Sequence, residues 1–576
     1  MSSSREDSQI LYEPDEVPPP RLAVGLGLQY ALLTLSGTMM IPMIIFRAAQ
    51  APEATLLWGV FVSIVICGLI TALQARRIGR FGAGYVLITG TTGTAIAVSV
   101  DAIAAGGVAL LGALVLAASL FQFLFALRLS LFRRVFTPTV AGIVLLLIPV
   151  AVMPVVFDML DEVPAGTTPA AAPLSALVTV LVLGGVMVKG SPKLRAWAAL
   201  IALVGGAATA AAFGTYDFDR LAAADWIGIP AEGPEFKFDF GSSFLQLLPA
   251  FVLVFLVCTV RTISGLFAIQ SVSWRTQRAV DFRAAQGAVA ADAVSNLLSG
   301  LAGTVPNGVR TTTASLTELT GVAARRVGVL FGLFLSALAF FPKVLAIVLA
   351  IPGPVIAGYL TVTITLIFAL GMRMIVSDGL DRRQALVVGV SFWMGVGCQY
   401  GFIFPEVVPH LAGGLLNSGL TAGGLTAIVL TGLMELTASP SRRLQTDLDL
   451  TALPTIREFI ADFASRNGWD EALANRLDAA SEETLLTLLR DDEARESSRR
   501  LLIKAHRQGG EAILEFIAAG GEENIEDRLA LLGKGAAESS LERDVSLRLL
   551  RHLATEVRHR QYYDTDFIRI RVAPKI

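Results

Sequence analysis

Four ionisable side chains fall where a charge is costly to keep. Arg261 lies inside the apolar run Phe251–Gly265, and Arg310 inside Gly303–Thr313, a stretch of glycine, threonine and proline. Asp292 and Glu318 sit in the adjoining stretches 284–303 and 304–321. Ionisable residues within membrane-spanning segments usually mark function. Guanidiniums carry donors only, so two of them facing one cavity would attract an anion or a group accepting paired hydrogen bonds. A carboxyl group enclosed at such depth could carry a proton. Asn296 follows Asp292 by one helical turn and shares its face. Pairing of the arginines with Asp292 and Glu318 for structure alone is the competing reading.

No histidine is placed for a proton relay, since His506, His552 and His559 lie in a polar region and His410 at a segment end. Nothing has the spacing of a metal site, a phosphate loop or a catalytic triad. Neither an enzyme nor a cofactor is expected.

The elements that must position these residues are apolar. The chain has 576 residues, 54% hydrophobic and 16% charged, with mean hydropathy +0.64. Soluble domains carry roughly 25% charged residues. Of the 48 acidic and 46 basic residues, 25 and 21 lie in 441–576, which leaves the first 440 residues sparse in charge. The fold class is therefore an all-α polytopic membrane protein with a C-terminal α+β domain. A net charge of −2 gives no basic footprint for nucleic acid. Cys67, Cys258 and Cys398 lie in apolar runs and read as free thiols.

Apolar stretches long enough to cross a bilayer cover 22–45, 54–74, 105–126, 137–157, 174–190, 196–213, 244–266, 327–350, 352–371, 385–404 and 419–437. Three weaker ones, 84–98, 284–303 and 304–321, are rich in Gly, Ala and Thr. With all fourteen crossing, alternate junctions carry the arginine clusters Arg76, Arg77 and Arg80, then Arg128, Arg133 and Arg134, and so on to Arg442 and Arg443. The opposite junctions carry Asp101, Asp158, Asp161 and Glu162. This distribution predicts fourteen spans in the cell membrane with both termini cytoplasmic. It divides the chain into a tail (1–20), a transmembrane domain (21–440) and a cytoplasmic domain (441–576).

The third and tenth segments are both interrupted, at Tyr85–Thr94 and Gly303–Thr313. The fifth and twelfth share Pro138–Gly142 and Pro354–Gly358. Two halves of seven spans must lie inverted, and matched interruptions in inverted halves point to a transporter's midplane site. Close helix packing alone could also require the small residues.

In several motifs the sequence resembles the nucleobase–ascorbate, or nucleobase:cation symporter-2, family. The resemblance covers about 21–437 and rests on Gln29 with Pro42, Arg133–Pro138 leading into Gly142, Gln270–Trp274, Thr320–Gly328, and Phe341–Lys343 leading to Ile351–Val355. It implies two inverted repeats, a core of spans one to four and eight to eleven moving against a gate, and short antiparallel strands in the third and tenth spans that meet at the substrate. Homodimers are common in the family. Several positions depart from it. Tyr30 stands where histidine is usual, and Arg261 aligns with the glutamate that holds the base. Arg310, Thr311, Thr312 and Thr313 align with a motif ending in Glu-Asn, and Gly93 with a stacking aromatic.

The resulting expectation is a secondary transporter of nucleobases of the xanthine or uracil type, proton- or cation-coupled, working by alternating access on a small-molecule substrate. The expected binding residues are Gln29, Gly37, Gly90, Thr91, Thr92, Gly93, Arg261, Arg310, Thr311, Thr312 and Thr313, with Asp292 and Glu318 as coupling sites. An anion transporter of the same fold, and a membrane sensor, are the alternatives. In the C-terminal domain helices are expected over 456–489 and 541–557, and strands over 499–517 and 567–572. Ala479–Thr487 and Glu542–Ala554 resemble a histidine-kinase-type ATPase domain of the anti-sigma-factor kind, with Thr487 at the position of a nucleotide-site asparagine. The resemblance implies a regulatory or dimerising module.

Overall fold

The computed structural model describes residues 10–127, 137–164, 166–191, 194–195, 197–230, 233, 237–275, 281–310, 312–378, 382–407, 416, 418–437, 442–492, 499–508, 511–520, 553–562 and 565–573. The chain forms two compact units, one of residues 1–276 and 282–431, the other centred on 432–576.

The first unit is helical. Its elements are α1 (Pro20–Ala48), α2 (Glu53–Arg76), β1 (Thr89–Thr91), α3 (Ile96–Leu127), α4 (Pro138–Leu160), α5 (Ala171–Lys189), α6 (Ala198–Ala212), α7 (Phe218–Ala223), α8 (Ser242–Val272), α9 (Phe282–Leu301), β2 (Asn307–Val309), α10 (Thr312–Thr320), α11 (Arg325–Leu338), α12 (Pro342–Leu349), α13 (Gly353–Asp378), α14 (Arg382–Gln399) and α15 (Gly419–Thr437). Among the described residues seven helices are long and apolar enough to cross a membrane, or eight if the bent pair α11–α12 is one span. Proline opens α1, α4 and α12, where its missing N–H costs nothing and its fixed φ suits the first turn. Thr137 caps α4 by accepting from the Val140 N–H at 3.3 Å.

A glycine break separates the expected segment 84–98 from the bulk of 105–126, and one long apolar run is not the straight rod that hydropathy suggests. Helix α3 breaks at Gly106 and Gly107, the latter at φ +68°, a conformation glycine reaches without steric cost. The expected segment 327–350 divides into α11 and α12, bent by 78°. Pro342 cannot donate back into α11, so the helix stops and restarts there.

The helices approach through glycine. A Cβ on Gly332 would lie 2.3 Å from the Gly68 carbonyl oxygen, joining α11 to α2, and one on Gly112 would lie 2.9 Å from the Gly300 carbonyl oxygen, joining α3 to α9. Gly142 and Gly371 join α4 to α13, each Cβ position 2.9 Å from the other's carbonyl oxygen. Apolar tails of lipid give no hydrophobic drive for helix association, so this close backbone contact carries the packing. Residues 10–16 run along the start of α11. Leu11 N–H donates to Gly321 O at 2.8 Å, and Arg275, beyond the end of α8, holds Glu16 at 2.7 Å. That contact keeps the Glu16 carboxyl below the usual carboxylate range.

The second unit has an antiparallel sheet in the order β3–β4–β5–β7–β6: β3 (Arg442–Asp447), β4 (Arg499–Gln508), β5 (Glu511–Gly520), β7 (Thr565–Val572) and β6 (Glu556–Tyr562). Alternate residues Leu501, Ile503, Leu514, Phe516, Ile568 and Ile570 form its core with Ile456, Ile460, Phe463 and Leu477 of α16 (Leu453–Arg466) and α17 (Glu471–Asp492). The strands expected over 499–517 and 567–572 and the helices expected over 456–489 are present. The helix expected over 541–557 is corrected at its end. Residues 541–552 lie outside the described residues, and Glu556 and Val557 pair with Arg571 and Ile570 as the first residues of edge strand β6. Glu-Val-Arg-His-Arg-Gln-Tyr is largely polar and has no helical apolar stripe, which suits an edge.

Gly332→Val should force α2 and α11 apart and cost roughly 1–3 kcal/mol. Thermal unfolding in detergent should show a lowered midpoint, while the same change at Gly184, which has nothing within 4 Å, should leave it nearly unmoved.

Candidate substrate site

The two glycine- and threonine-rich interruptions meet. Strands β1 and β2 pair antiparallel, with Thr89 opposite Val309, Gly90 opposite Gly308 and Thr91 opposite Asn307. Arg310 N–H donates to Ile88 O at 2.9 Å and Thr92 N–H to Pro306 O at 3.2 Å, so the ladder extends beyond both strands. Each strand is buried throughout. Unpaired backbone groups at membrane depth would each cost several kcal/mol, and mutual pairing removes that cost.

Side chains on neighbouring helices pin the strands. Asn307 is the centre of one network: its N–H donates to Asn296 Oδ1 at 2.7 Å, and its Nδ2 to Ser295 Oγ at 3.1 Å and Ser299 Oγ at 2.9 Å. Asn296 Nδ2 donates to Gln122 Oε1 at 2.9 Å and to Asn307 O at 3.2 Å. On the other strand, Thr89 N–H donates to Thr71 Oγ1 at 3.0 Å and Thr91 Oγ1 to Thr38 O at 2.9 Å. Before β1, Tyr85 takes a hydrogen bond from Trp274 Nε1 at 3.3 Å, and Gly84 O one from Arg325 Nε at 2.6 Å.

Both predicted arginines border this pair. A Cβ on Gly90 would lie 2.2 Å from Arg310 Nε, and one on Gly37 would lie 2.5 Å from Arg310 Nη1, so only glycine admits the guanidinium between α1 and β1. Arg261 Nη1 donates to Thr92 Oγ1 at 3.3 Å. Gly90 and Thr92 are two residues apart in extended chain, so the two guanidiniums border the same side of it. Thr92 also bonds Thr94, at 2.8 Å between hydroxyl oxygens, and the Cys258 thiol lies 3.5 Å from Thr94 Oγ1. Gly93 faces apolar atoms, its Cβ position 3.5 Å from Ile367 Cδ1 and 3.7 Å from Ile41 Cδ1.

Several expected residues lie elsewhere. Gln29 is on the exposed side of α1, two turns before Gly37, and Glu318 is exposed on α10; neither joins the strand pair. Thr311 lies outside the described residues, and Thr312 and Thr313 open α10. Asp292 is fully buried; Thr262 Oγ1 donates to its Oδ2, and Gln74 Nε2 to its Oδ1 at 3.3 Å. Tyr30 is also buried, its hydroxyl 2.7 Å from Thr320 Oγ1. Gln74, Gln122, Thr71 and Thr262 carry no motif in the sequence, and Cys258 reads there only as a free thiol. The two glutamines alone carried a signal, as amides inside apolar runs.

Residues 22–404 match the Xan_ur_permease model, described as Permease family. The chain belongs to that family. It is 27% identical over 442 residues to xanthine permease XanP of Escherichia coli (strain K12), an alignment covering 74% of this chain and 94% of that protein. To uric acid permease PucK of Bacillus subtilis (strain 168) it is 27% identical over 421 residues, covering 70% and 94%. Among solved structures, the transmembrane domain of the cyanobacterial bicarbonate transporter BicA superposes with a TM-score of 0.43 at 19% identity, over 73% of this chain and 100% of that one. SLC26A9 superposes with 0.47 at 11% identity, over 74% and 68%. The family match, together with the long apolar helices, makes the chain a predominantly helical, multi-pass membrane protein.

In this permease the steric limits around the paired strands differ sharply between opposite glycines. Gly90→Ala should displace Arg310 and lower both melting temperature and solute uptake. Gly308→Ala, whose nearest neighbour would be Cys258 Sγ at 3.8 Å, should change stability by no more than about 0.5 kcal/mol.

Proposed function

We propose that the permease moves nucleobases across the membrane by alternating access, binding its solute beside the β1–β2 pair. The observation that carries this reading is the convergence of Gly37, Gly90, Thr92, Arg261 and Arg310 at two paired, buried strands inside an apolar bundle. The similarity to xanthine permease XanP and uric acid permease PucK, matched over most of their length, supports a nucleobase as the solute. Irregular backbone at membrane depth is tolerated where it lines a cavity, which is what a midplane binding site requires.

Fourteen crossings in two inverted halves, with both ends cytoplasmic, fit the helix contacts. If α2 is the second segment, the C-terminal part of α3 the fourth, α9 the ninth and α11–α12 the eleventh, then the glycine contact of α2 with α11 has its counterpart in that of α9 with α3. The α4–α13 and β1–β2 contacts then lie on the pseudo-symmetry axis themselves. Such a frame lets one group of helices rock against the other around a fixed site. Homodimer formation and a regulatory role for the C-terminal unit complete the proposal.

Asp292 is the candidate coupling residue, in preference to the exposed Glu318. It lies on α9 at full burial, held by Thr262 of α8 and Gln74 of α2, so its protonation would alter contacts among three helices. The test is uptake of labelled xanthine into proteoliposomes with and without an imposed pH gradient. Wild-type protein should accumulate the base when the gradient drives it. Asp292→Asn, which keeps the shape of the side chain but cannot carry the proton, should retain exchange and lose gradient-driven accumulation; full accumulation by that variant would remove Asp292 from coupling.

A further inference from the structure

The site is rich in hydrogen-bond donors, and its acceptors are largely committed. The backbone oxygen of Thr38 is taken by Thr91, and the side chain of Asn307 by Ser295, Ser299 and the Cys67 thiol. Thr92 Oγ1 serves Thr94, Cys258 and Arg261 together. Arg261 stands differently. Its Nε is buried and, among the described residues, has no hydrogen-bond partner. The buried Asp292 carboxyl is engaged by Thr262 and Gln74. The helical turn that begins at Gly93, directly after Thr92, adds the positive end of α3.

A ligand here must offer acceptors to a fixed fork of N–H groups. Neutral uracil and neutral xanthine alternate N–H and C=O along their edges, so one of their donors would oppose the guanidinium and stay unpaired, which is costly in a buried site. An oxopurine that has lost a ring proton presents a ring nitrogen and an adjacent carbonyl oxygen, both acceptors, with negative charge shared between them. That edge matches a guanidinium in the bidentate manner of a carboxylate.

We infer that the site selects anionic, acceptor-edged oxopurines over neutral bases whose edge alternates donor and acceptor, such as uracil, with Arg261 as the residue that determines this specificity. The inference rests on the proposal that the solutes are nucleobases.

The test compares initial uptake of labelled urate, xanthine, uracil and sulfate into proteoliposomes, for the full-length wild type, Arg261→Gln and Arg261→Glu. At neutral pH wild-type protein should favour urate, an anion there, over neutral uracil by about ten- to a hundredfold, the factor carried by hydrogen bonds to a charged group. Xanthine should compete against urate more strongly as alkaline pH ionises it, a measurement on wild type alone that stands even if a variant fails to fold. Arg261→Gln should narrow the urate preference, and Arg261→Glu should reverse it towards uracil. Wild-type uptake of uracil equal to or above that of urate would overturn this inference and leave the nucleobase reading intact. Uptake of sulfate with no base transported would overturn the nucleobase reading itself.

Discussion

A peptide group in an apolar slab must find its hydrogen-bond partner within the protein, and this constraint organises the whole membrane unit. Helices meet it by themselves; the interruptions before α3 and before α10 cannot. They meet it by pairing with one another, Thr89–Thr91 against Asn307–Val309, and by borrowing Asn296, Thr71 and Thr38 at their margins. Once the strands are joined, the regions next to them are fixed. The N-terminal start of α3 follows Thr92, Arg310 leaves the end of β2, and both are brought to the same place as Arg261 of α8. A binding site thus arises where the backbone has been forced to leave the helix.

Glycine makes the arrangement sterically feasible at two scales. Between helices, Gly68, Gly332, Gly112, Gly300, Gly142 and Gly371 bring backbones into contact, so that the bundle can hold together without a hydrophobic drive between its members. Within the site, Gly37 and Gly90 leave the volume that the Arg310 guanidinium occupies. A methyl group at either of the latter positions would overlap the Arg310 guanidinium. Asn296, Asn307 and Thr91 are engaged in holding the strands, and Arg261 keeps a buried Nε donor beside them.

Much of the frame was legible in the sequence because low hydropathy inside a long apolar run is itself unusual. Tyr85–Thr94 and Gly303–Thr313 stood out on that basis, and Arg261 and Arg310 stood out because charge there is rare. Depth and facing were less legible. Spacing puts Asp292 and Asn296 on one face of α9, but it does not say that Asn296 meets Gln122 and Asn307 while Asp292 meets Thr262 and Gln74. Gln29 and Glu318 satisfy motif and hydropathy criteria equally well, yet both are exposed and neither meets the strand pair. The bend at Pro342 was hidden for the opposite reason, since apart from Lys343 the run stays apolar and its average hydropathy registers no break. In the C-terminal unit, the alternation of β4, β5 and β7 was clear from their buried faces, whereas β6, a polar edge strand, carries no comparable pattern.

Strands β1 and β2 lie side by side within the membrane unit, and the binding site depends on that pairing. Cysteines at Thr89 and Val309, directly opposed in the register, would test it in a protein whose native Cys67, Cys258 and Cys398 are replaced by alanine and which carries a protease site near residue 233. After mild oxidation and cleavage, the two halves should migrate as one species on a non-reducing gel and separate when reduced. Halves that separate without reductant, in protein that still binds and transports its solute, would contradict the paired-strand site.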